Sequence, residues 1–385
     1  MLLIEIIFWM CAALIAYHMF GHPALLLLVS RRAERYIRKD KKGSNKDWQP
    51  VDIVMPMYNE ADCIKQKLEN LSKLDYPKHL INIYLGLDGC DDSTRCLIEE
   101  VLRNDKFRSL KTIIIDFPVN RGKIKVLNDL MRIGQSECVF LTDVSALLPS
   151  NTIKQLSELL HQNKVGAVSA GYQLMSAGQE GETAYWQYQS RIKRAESYLG
   201  SVIGAHGACY AIRRSLFSSL PNNIINDDFI VPMNIISQGY RVVYEADIVA
   251  MELEGSTSQQ DFERRKRISL GNVQQLFACA NILSFRYRWT AYNFLFGKVV
   301  RATIPSLLAV ILICSVLLSA KPFYLFLLTF QIAIYGATLI GIALKKSPNN
   351  IYLYLIYYVV SGYIAGLIGT VQFLLGKANY SWQKK

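Results

Sequence analysis

The sequence predicts an α/β domain with a mostly parallel sheet, flanked by apolar helices that cross a membrane. Between Trp48 and about Ser256, short apolar segments alternate with helix-like segments, which is typical of a parallel sheet covered by helices on both faces. Acidic residues follow three of the predicted strands, at positions that meet along one edge of such a sheet. Hydrophobic residues make up 51% of the 385-residue chain, and the apolar excess lies at its two ends.

The apolar ends contain four segments long enough to span a bilayer, which takes about 20 residues each. These segments are residues 2–29, 299–320, 323–344 and 351–375. The first is too long for a signal-peptide core and lacks a basic start and a small-residue cleavage site, so we expect a retained anchor. The predicted organisation is an anchor (1–30), a basic juxtamembrane linker (31–47), the α/β domain (48–256), amphipathic interfacial helices (257–292) and a C-terminal membrane region with about three spans (293–385).

The formal net charge of +12 is mostly related to the membrane. A run of arginines and lysines between residues 31 and 46 follows the first apolar segment directly, which places that side in the cytoplasm. The loop 345–348, with two lysines, falls on the same side, whereas the tail 376–385 falls outside despite its three lysines, so the topology of the last span stays open. No nucleic-acid motif accompanies the charge. The eight cysteines form no CxxC pair and are expected to be reduced.

The secondary structure is predicted in chain order from hydrophobic periodicity. Strands are expected at residues 51–55, 81–87, 112–115, 138–141, 167–173, 209–212 and 240–244. Helices are expected at residues 59–71, from 94 to 102, 122–131, from about 151, 182–199, 227–237 and from 258 onward. The last of these is basic and then amphipathic, which favours a helix lying in the membrane surface.

Asp143 is the strongest candidate ligand in the predicted sheet. It follows the apolar strand 138–141 and precedes a short loop that ends at Pro149. Ligands of open α/β sheets bind beyond the carboxyl ends of the strands, so Asp143 is placed to hold a hard cation or a phosphorylated ligand. The alternative is a turn aspartate that caps the helix starting near Asn151.

The other polar candidate residues can likewise be explained by an ordinary structural role instead of a functional one. Residues 56–60 and 88–92 follow the first two strands, and Asp227 with Asp228 opens a helix, where acidic residues are favourable in any protein. Lys123 is placed to reach a phosphate at the start of a helix, or to be solvated there. The turn 204–208, which contains His206 and Gly207, consists otherwise of small residues.

In their order along the chain, these segments resemble the membrane-bound family 2 glycosyltransferases with the GT-A fold, a group that includes polysaccharide synthases. The resemblance extends from about Val51 to Phe277 and rests on six segments: VMPMYNE at 54–60, LDGCDDST at 87–94, NRGK at 120–123, TDVS at 142–145, NDDF at 226–229 and FERRKR at 262–267, where processive members have a QxxRW motif. No single motif suffices, since the Asp-Gly-x-x-Asp pattern alone is weak. Their order in a βαβ chain with membrane flanks is specific.

The resemblance implies an inverting transfer from a nucleotide-diphosphate sugar, with a UDP-sugar expected, to a membrane-associated glycan or lipid-linked acceptor. It implies Asp228 as the catalytic base, with Asp227 beside it raising its proton affinity, and Asp143 as ligand of a Mg2+ or Mn2+ ion. His206 and Gly207 would lie on the acceptor side. The residues implied in donor binding are Pro56, Tyr58, Asn59, Glu60, Asp88, Lys123, Asp143, Arg264 and Arg267.

The same resemblance implies a multi-pass protein of the plasma membrane with a cytoplasmic catalytic domain, acting in cell-surface or extracellular polysaccharide synthesis. The lipid bilayer and polysaccharide export or assembly proteins are the further partners it implies. For Arg264 and Arg267, contact with anionic lipid is the alternative to clamping the diphosphate.

Two departures from the family pattern leave the function open. Ser145 stands where the second acid of the DxD motif is expected, so metal binding is weaker or completed by another ligand. Ile268, not tryptophan, follows Arg267, so single-sugar transfer and processive synthesis are equal alternatives. A catalytically weakened binding or assembly subunit is a further alternative, and a transporter ranks last because the spans are few.

Overall fold

The computed structural model of the chain describes residues 1–37, 48–107, 109–175, 180–253, 258–344 and 351–377. They form two compact units. The helical unit contains the described parts of Met1–Leu25, Ser256–Leu283 and Tyr292–Asn379, and the sheet unit those of Leu26–Gly255 and Ser284–Ala291. Most of the basic linker, the loop 345–350 and the end of the tail lie outside the described residues. The topology drawn from them, like the predicted domain boundaries, remains a prediction.

The elements are numbered here in chain order. The helices are α1 Leu2–Ala16, α2 His22–Ile37, α3 Ala61–Ser72, α4 Thr94–Arg103, α5 Lys123–Ile133, α6 Thr152–Leu160, α7 Glu180–Leu199, α8 Asp227–Ser237, α9 Ser258–Ala278, α10 Trp289–Asn293, α11 Val300–Leu317, α12 Pro322–Ala343 and α13 Ile351–Leu374. The strands are β1 Val51–Met57, β2 Ile81–Asp88, β3 Lys111–Phe117, β4 Cys138–Leu141, β5 Ala146–Leu147, β6 Val165–Leu174, β7 Tyr210–Arg213 and β8 Arg241–Glu252. Two π-helical segments, Tyr17–Gly21 and Phe294–Val299, join α1 to α2 and α10 to α11.

The described strands form one sheet in the order β3-β2-β1-β4-β7-β6-β8-β5. β1 pairs in parallel with β2 and β4, and β2 pairs in parallel with β3, so the carboxyl ends of these four strands share one edge. β7 is antiparallel to β4 and β6, while β6 and β8 are parallel. All seven residues of β1 are buried, as expected for a central strand covered on both faces. The predicted α/β fold with a mostly parallel sheet is confirmed.

Two element boundaries differ from the prediction. The helix predicted to open at Asn59 begins at Ala61, because Asn59 adopts a left-handed backbone conformation with φ of 55°. The strand predicted to end at Tyr244 continues to Glu252. Its pairing with β6 jumps from Ala170↔Glu245 to Gly171↔Val249, so residues 246–248 (Ala-Asp-Ile) form an irregular bulge that interrupts the sequence pattern.

Four helices among the described residues are long and apolar enough to cross a membrane, as predicted. They span Leu2–Ala33, Trp289–Leu317, Pro322–Ala343 and Ile356–Leu374. Large apolar side chains on them stay exposed, such as Phe20 (71%) and Phe326 (67%). Continuous exposed apolar surface is unfavourable in water and suits contact with lipid.

Within the helical unit, α9 packs against α13 along glycines on one face of α13. A β-carbon on Gly369 would lie 2.7 Å from the carbonyl oxygen of Lys266, so only glycine permits this approach. At the other end of the contact, the guanidinium of Arg265 lies 3.6 Å above the Tyr358 ring and donates a hydrogen bond of 2.9 Å to the Tyr358 carbonyl. The basic helix thus has a packed face, and its predicted position in the membrane surface remains a prediction.

A buried carboxylate near the amino end of β1 ties the sheet together. Asp52 is fully buried and accepts hydrogen bonds from the Arg214 guanidinium (2.8 Å), the backbone amides of Gln135 (2.9 Å) and Ser136 (3.0 Å), and the Asn82 amide (2.8 Å). It therefore connects β1, β2, the segment before β4 and the residues after β7.

Asp52→Ala is expected to destabilise the sheet unit by about 3–5 kcal/mol, because it leaves the Arg214 charge, 16% exposed, without its partner. Thermal unfolding of the purified protein in detergent measures this. The matched control is Asp62→Ala, an exposed acid in α3 whose loss should cost less than about 0.5 kcal/mol. Equal melting of the two variants would contradict the role assigned to Asp52.

Candidate active site

The candidate site lies in the sheet unit, beyond the carboxyl ends of β1, β2 and β4. Three loops leave these strands, after Met57, Asp88 and Leu141. The antiparallel strand β7 enters the sheet beside β4 from the opposite direction, so the turn before Tyr210 reaches the same edge. α8 begins at Asp227, as predicted.

Lys123 holds two of the predicted acids together. Its Nζ lies 3.3 Å from Oδ1 of Asp143 and 3.2 Å from Oδ1 of Asp227. Burial alone would lower the pKa of Lys123, but the carboxylates of Asp143, Asp227 and Asp228 outweigh it and raise the pKa above its usual value. The lysine is therefore a permanent positive charge between the β4 loop and the start of α8.

Gly207 lies next to the carboxylates of Asp143 and Asp228. A β-carbon on Gly207 would lie 3.2 Å from Oδ2 of Asp143 and 3.5 Å from Oδ2 of Asp228. A side chain there would press on the Asp143 carboxylate and come into van der Waals contact with that of Asp228, so glycine keeps the space beside both acids clear. The Ala205 amide donates a hydrogen bond of 2.8 Å to the Asp228 carbonyl, which fixes this turn against the first residues of α8.

The two adjacent acids of α8 differ in environment. Asp227 is buried at 5% exposure and is paired with Lys123, whereas Asp228 is partly exposed and faces Gly207. Of the two, Asp228 is thus the more accessible from the clear space. The assignment of catalytic roles to them stays a prediction.

The predicted donor-binding residues at the end of β1 and in the loop after it differ in burial. Pro56 is buried within β1, beyond the end of the pairing with β4 at Val54↔Leu141, whereas Tyr58, Asn59 and Glu60 are half-buried in the loop. Asn59 does not open α3. Its side chain exchanges hydrogen bonds of 2.5 and 3.0 Å with the Asp91 carboxylate and amide, and so ties the first loop to the second.

Asp88, predicted to contact the donor, is fully buried in the structure. Its two carboxylate oxygens accept hydrogen bonds of 2.8 Å each from the backbone amides of Arg121 and Gly122. Gly89 follows with φ of 68°, and a β-carbon there would lie 2.4 Å from the Asn120 nitrogen. Asp88 thus fixes the backbone conformation of Arg121 and Gly122, directly before Lys123. A direct contact of Asp88 with the donor remains a prediction.

His206 belongs to a cluster of aromatic side chains beside Gly207. Its ring stacks on Tyr172 at 5.5 Å and lies 6.1 Å from Trp186 and 6.2 Å from Tyr244. Burial, and then the charge of Lys193, lowers the pKa of His206 well below its usual value. The imidazole is therefore neutral at pH 7 and a poor proton acceptor, which agrees with a role in shaping the turn.

Ser145, in the place of the expected second acid, is directed toward another carboxylate. Its buried hydroxyl hydrogen-bonds to Oε1 of Glu252, which is 8% exposed at the end of β8. A backbone contact also joins these two segments, since the Leu253 amide donates a hydrogen bond of 2.9 Å to the Ser145 carbonyl. The sequence prediction missed Glu252 because it ended this strand at Tyr244.

Tyr210 and Lys67 are further residues that the sequence did not single out. The Tyr210 hydroxyl is buried and has no hydrogen-bond partner among the described residues. Burial, and then the carboxylates of Asp227, Asp228 and Asp143, raises its pKa well above the usual value. Lys67 is fully buried under the β4 loop.

The two arginines predicted to clamp the diphosphate belong to the helical unit. Arg264 is half-buried and Arg267 is exposed on α9. Their roles in donor binding remain predictions.

The chain matches the family model described as glycosyltransferase like family 2 over residues 49–271, more than half of its length. The poly-beta-1,6-N-acetyl-D-glucosamine synthase of Staphylococcus aureus (strain MSSA476) is 26% identical over 254 residues, which is 64% of this chain and 60% of that protein. The synthase of the same name from Staphylococcus epidermidis is 23% identical over 243 residues, 61% of this chain and 57% of the relative. The chain thus aligns with somewhat less than two thirds of these relatives.

Among solved structures, the mannosyltransferase PcManGT from Pyrobaculum calidifontis, in complex with GDP-Man and Mn2+, superposes with a TM-score of 0.72. It is 23% identical and covers 97% of this chain and 100% of its own, so the likeness concerns the fold. The predicted GT-A fold and the predicted enzyme class are confirmed. The chain belongs to the family 2 glycosyltransferases and is related to polysaccharide synthases.

Proposed function

We propose that this glycosyltransferase moves a sugar from a nucleotide-diphosphate sugar, with a UDP-sugar as first candidate, to a membrane-associated glycan or lipid-linked acceptor. The observation that carries the proposal is the convergence of the Asp143 and Asp228 carboxylates on Gly207, with Lys123 bound to Asp143. Two carboxylates that approach the same glycine from different parts of the chain suit a single displacement. In it, one carboxylate would serve the leaving group and the other the incoming hydroxyl.

In this proposal the acceptor oxygen attacks the anomeric carbon from the Asp228 side. Asp228 takes the hydroxyl proton as the new glycosidic bond forms. The bond from the anomeric carbon to the diphosphate breaks on the opposite face, and the nucleotide leaves with the electron pair, which inverts the configuration. The positive charge of Lys123 stabilises the negative charge that develops on the diphosphate.

The residues present are compatible with a Mg2+ or Mn2+ ion. Magnesium is commonly held by one or two carboxylates together with substrate phosphates and water. Asp143, with a side chain 41% exposed at the strand end, would hold it. The described residues contain no cluster of three or more metal-ligating side chains, so the remaining ligands would be donor phosphates and water. When bound, the ion would act as a Lewis acid on the leaving diphosphate.

Processive synthesis is a second candidate, and the names of the staphylococcal relatives favour it. The absence of a tryptophan after Arg267 favours single-sugar transfer. Product length separates the two: incubation with excess donor yields a ladder or polymer from a processive enzyme and one added sugar from a single-transfer enzyme.

The decisive test of the proposed function is a donor panel with the full chain in detergent or nanodiscs. UDP-GlcNAc, UDP-glucose and GDP-mannose are supplied separately with divalent metal, and release of the nucleotide diphosphate is followed with and without a membrane extract as acceptor source. Release from at least one donor, increased by the extract, is expected. Binding of a nucleotide sugar without any release would favour the weakened assembly subunit.

We propose that the enzyme is a multi-pass plasma-membrane protein with a cytoplasmic sheet unit. Lys321, just after α11, forms an ion pair with Glu5 near the start of α1, so these two ends lie at the same end of the helical unit. This agrees with an arrangement in which the N-terminus and the α11–α12 loop share one side. Polysaccharide export or assembly proteins would then be partners at the membrane.

A reporter fused after Asp47 or within residues 345–350 is expected to report the cytoplasm, because both positions follow the positive-inside rule. The matched control is a reporter in the loop between α11 and α12, which should report the exterior. Cysteine accessibility at the same positions gives an independent reading. An exterior signal at Asp47 or at 345–350 would overturn the arrangement.

A further inference from the structure

We propose that Lys67, on α3, is a positioning residue that holds Asp143 next to Gly207 by a buried relay through the Thr142 hydroxyl. Lys67 is fully buried, and its Nζ donates hydrogen bonds to Oγ1 of Thr142 (2.8 Å) and to the carbonyl of Ala146 (2.5 Å). These two contacts lie on either side of Asp143 in the loop after β4. The lysine therefore fixes the loop from its buried side, at Thr142 and at Ala146.

The relay has only one possible direction. An ammonium group can only donate, so Thr142 Oγ1 accepts from Lys67 and has its single proton left to donate. Of the two carbonyls within reach, that proton goes to Ala208 at 2.6 Å, since the Asp143 carbonyl is farther away at 3.3 Å. Thr142 directly precedes Asp143, and Ala208 directly follows Gly207. The chain Lys67–Thr142–Ala208 thus joins the residue before Asp143 to the residue after Gly207.

The same helix holds the far end of the loop. The side chain of Asn70, one turn after Lys67, donates a hydrogen bond of 2.8 Å to the carbonyl of Leu148 and accepts one of 2.8 Å from the Leu148 amide. Between these points, Ser145 is hydrogen-bonded to the buried Glu252. α3 and β8 together therefore fix the loop that carries Asp143.

Placing a lysine here is energetically unfavourable by itself, which supports a functional reason for it. Burial lowers the pKa of Lys67 to about 8, opposed by Cys209, Asp143 and Glu252, so the ammonium form still predominates at pH 7. An apolar side chain of similar volume would avoid this cost, and buried charges replaced in that way often leave stability unchanged or improved. If the residue at this position only stabilised the fold, it would therefore not need to carry a charge.

The inference rests on the proposed function, because that function assigns Asp143, next to Gly207, to the leaving-group side of the reaction. Its test uses Thr142→Val, which keeps the shape and removes the hydroxyl, and Thr142→Ser, which keeps the hydroxyl. Lys67→Met removes the charge. The matched control is Lys65→Met, an exposed lysine on the same helix that pairs with Glu100 at the surface.

In the full chain, Thr142→Val and Lys67→Met are expected to lower kcat by about 100-fold, the effect of a misplacement of about 1 Å, with a much smaller change in donor KM. Thr142→Ser and Lys65→Met should stay near wild type. The double variant should be no slower than the slower single variant, because both substitutions break one relay. Hydrogen exchange of the amides at 206–209 should rise in Thr142→Val, a reading that needs no substrate.

If wild type releases nucleotide from no donor, the proposed function fails, while the exchange result still decides whether the relay couples loop and turn. If wild type turns over and folded Thr142→Val has normal kcat and exchange, the positioning role alone is overturned. Equal losses in Thr142→Ser and Thr142→Val would also overturn it, since the hydroxyl would then not be the element that matters. Should Lys67→Met fail to fold, the two threonine variants decide.

Discussion

Asp228→Asn is expected to lower sugar transfer by at least about 100-fold, the low end for loss of a general base. The side chain is partly exposed, faces Gly207, and opens α8 next to the Lys123–Asp227 pair. Asparagine has the same shape and cannot accept the acceptor's proton as a base. Because Lys123 contacts Asp143 and Asp227, the donor side stays intact in this variant. Donor affinity, measured by calorimetry with the nucleotide diphosphate, should therefore remain near wild type.

Asp247→Asn is the matched control for this variant. Asp247 is 76% exposed and pairs with Arg194 at the surface, so its substitution should leave transfer unchanged. Asp227→Asn should cost less turnover than Asp228→Asn if Asp227 mainly adjusts its neighbour. Near-normal transfer by Asp228→Asn with intact donor binding would move the base elsewhere, and Asp227 would be the next candidate.

The sequence predicted the features that depend on local pattern. The strand 138–141 and the helix 227–237 have the bounds expected from apolar runs and an acidic helix start, and the parallel pairing of β1, β2 and β4 follows from βαβ alternation. Because parallel strands end at one edge, the sequence alone places Asp143 together with the loops after β1 and β2. That Asp143, Asp228 and Gly207 belong to one site was implied only by the family resemblance and not by local pattern, since β7 and α8 reach the edge from a later part of the chain.

The features that the sequence did not predict depend on partners that are distant in the chain. Asn59 looks like a helix cap, but Asp91 from the next loop binds its side chain and the helix starts later. Lys67 looks like the surface lysine Lys65 two residues earlier, and only the position of α3 under the β4 loop shows that it is buried. Glu252 lies beyond a bulge that ends the periodic pattern. In each case the deciding partner lies at least 30 residues away in the sequence.

The other large effect is expected at the donor side, from Asp143→Asn. The substitution removes the only carboxylate in the loop after β4 and one of the two acids bound to Lys123, while keeping the size of the side chain. A metal ion on a leaving diphosphate supplies several kcal/mol of charge stabilisation, so we expect transfer to fall by at least about 100-fold. Donor affinity should fall as well, which distinguishes this variant from Asp228→Asn. Calorimetry with the nucleotide diphosphate, with and without Mn2+ or Mg2+, measures it.

Two controls separate the metal role from the charge of Asp143. Asp116→Asn changes another aspartate at the same edge, in β3, where it pairs with Arg95 at the surface, so transfer should remain near wild type. In the wild type, removal of divalent metal by a chelator should abolish turnover, and added Mn2+ should restore it. The Asp143→Asn variant should need more metal for half-maximal rate, because the ion keeps the donor phosphates and loses its protein carboxylate. If the chelator leaves wild-type turnover unchanged, Lys123 is the cation that acts on the diphosphate, and Asp143 serves to hold that lysine in place.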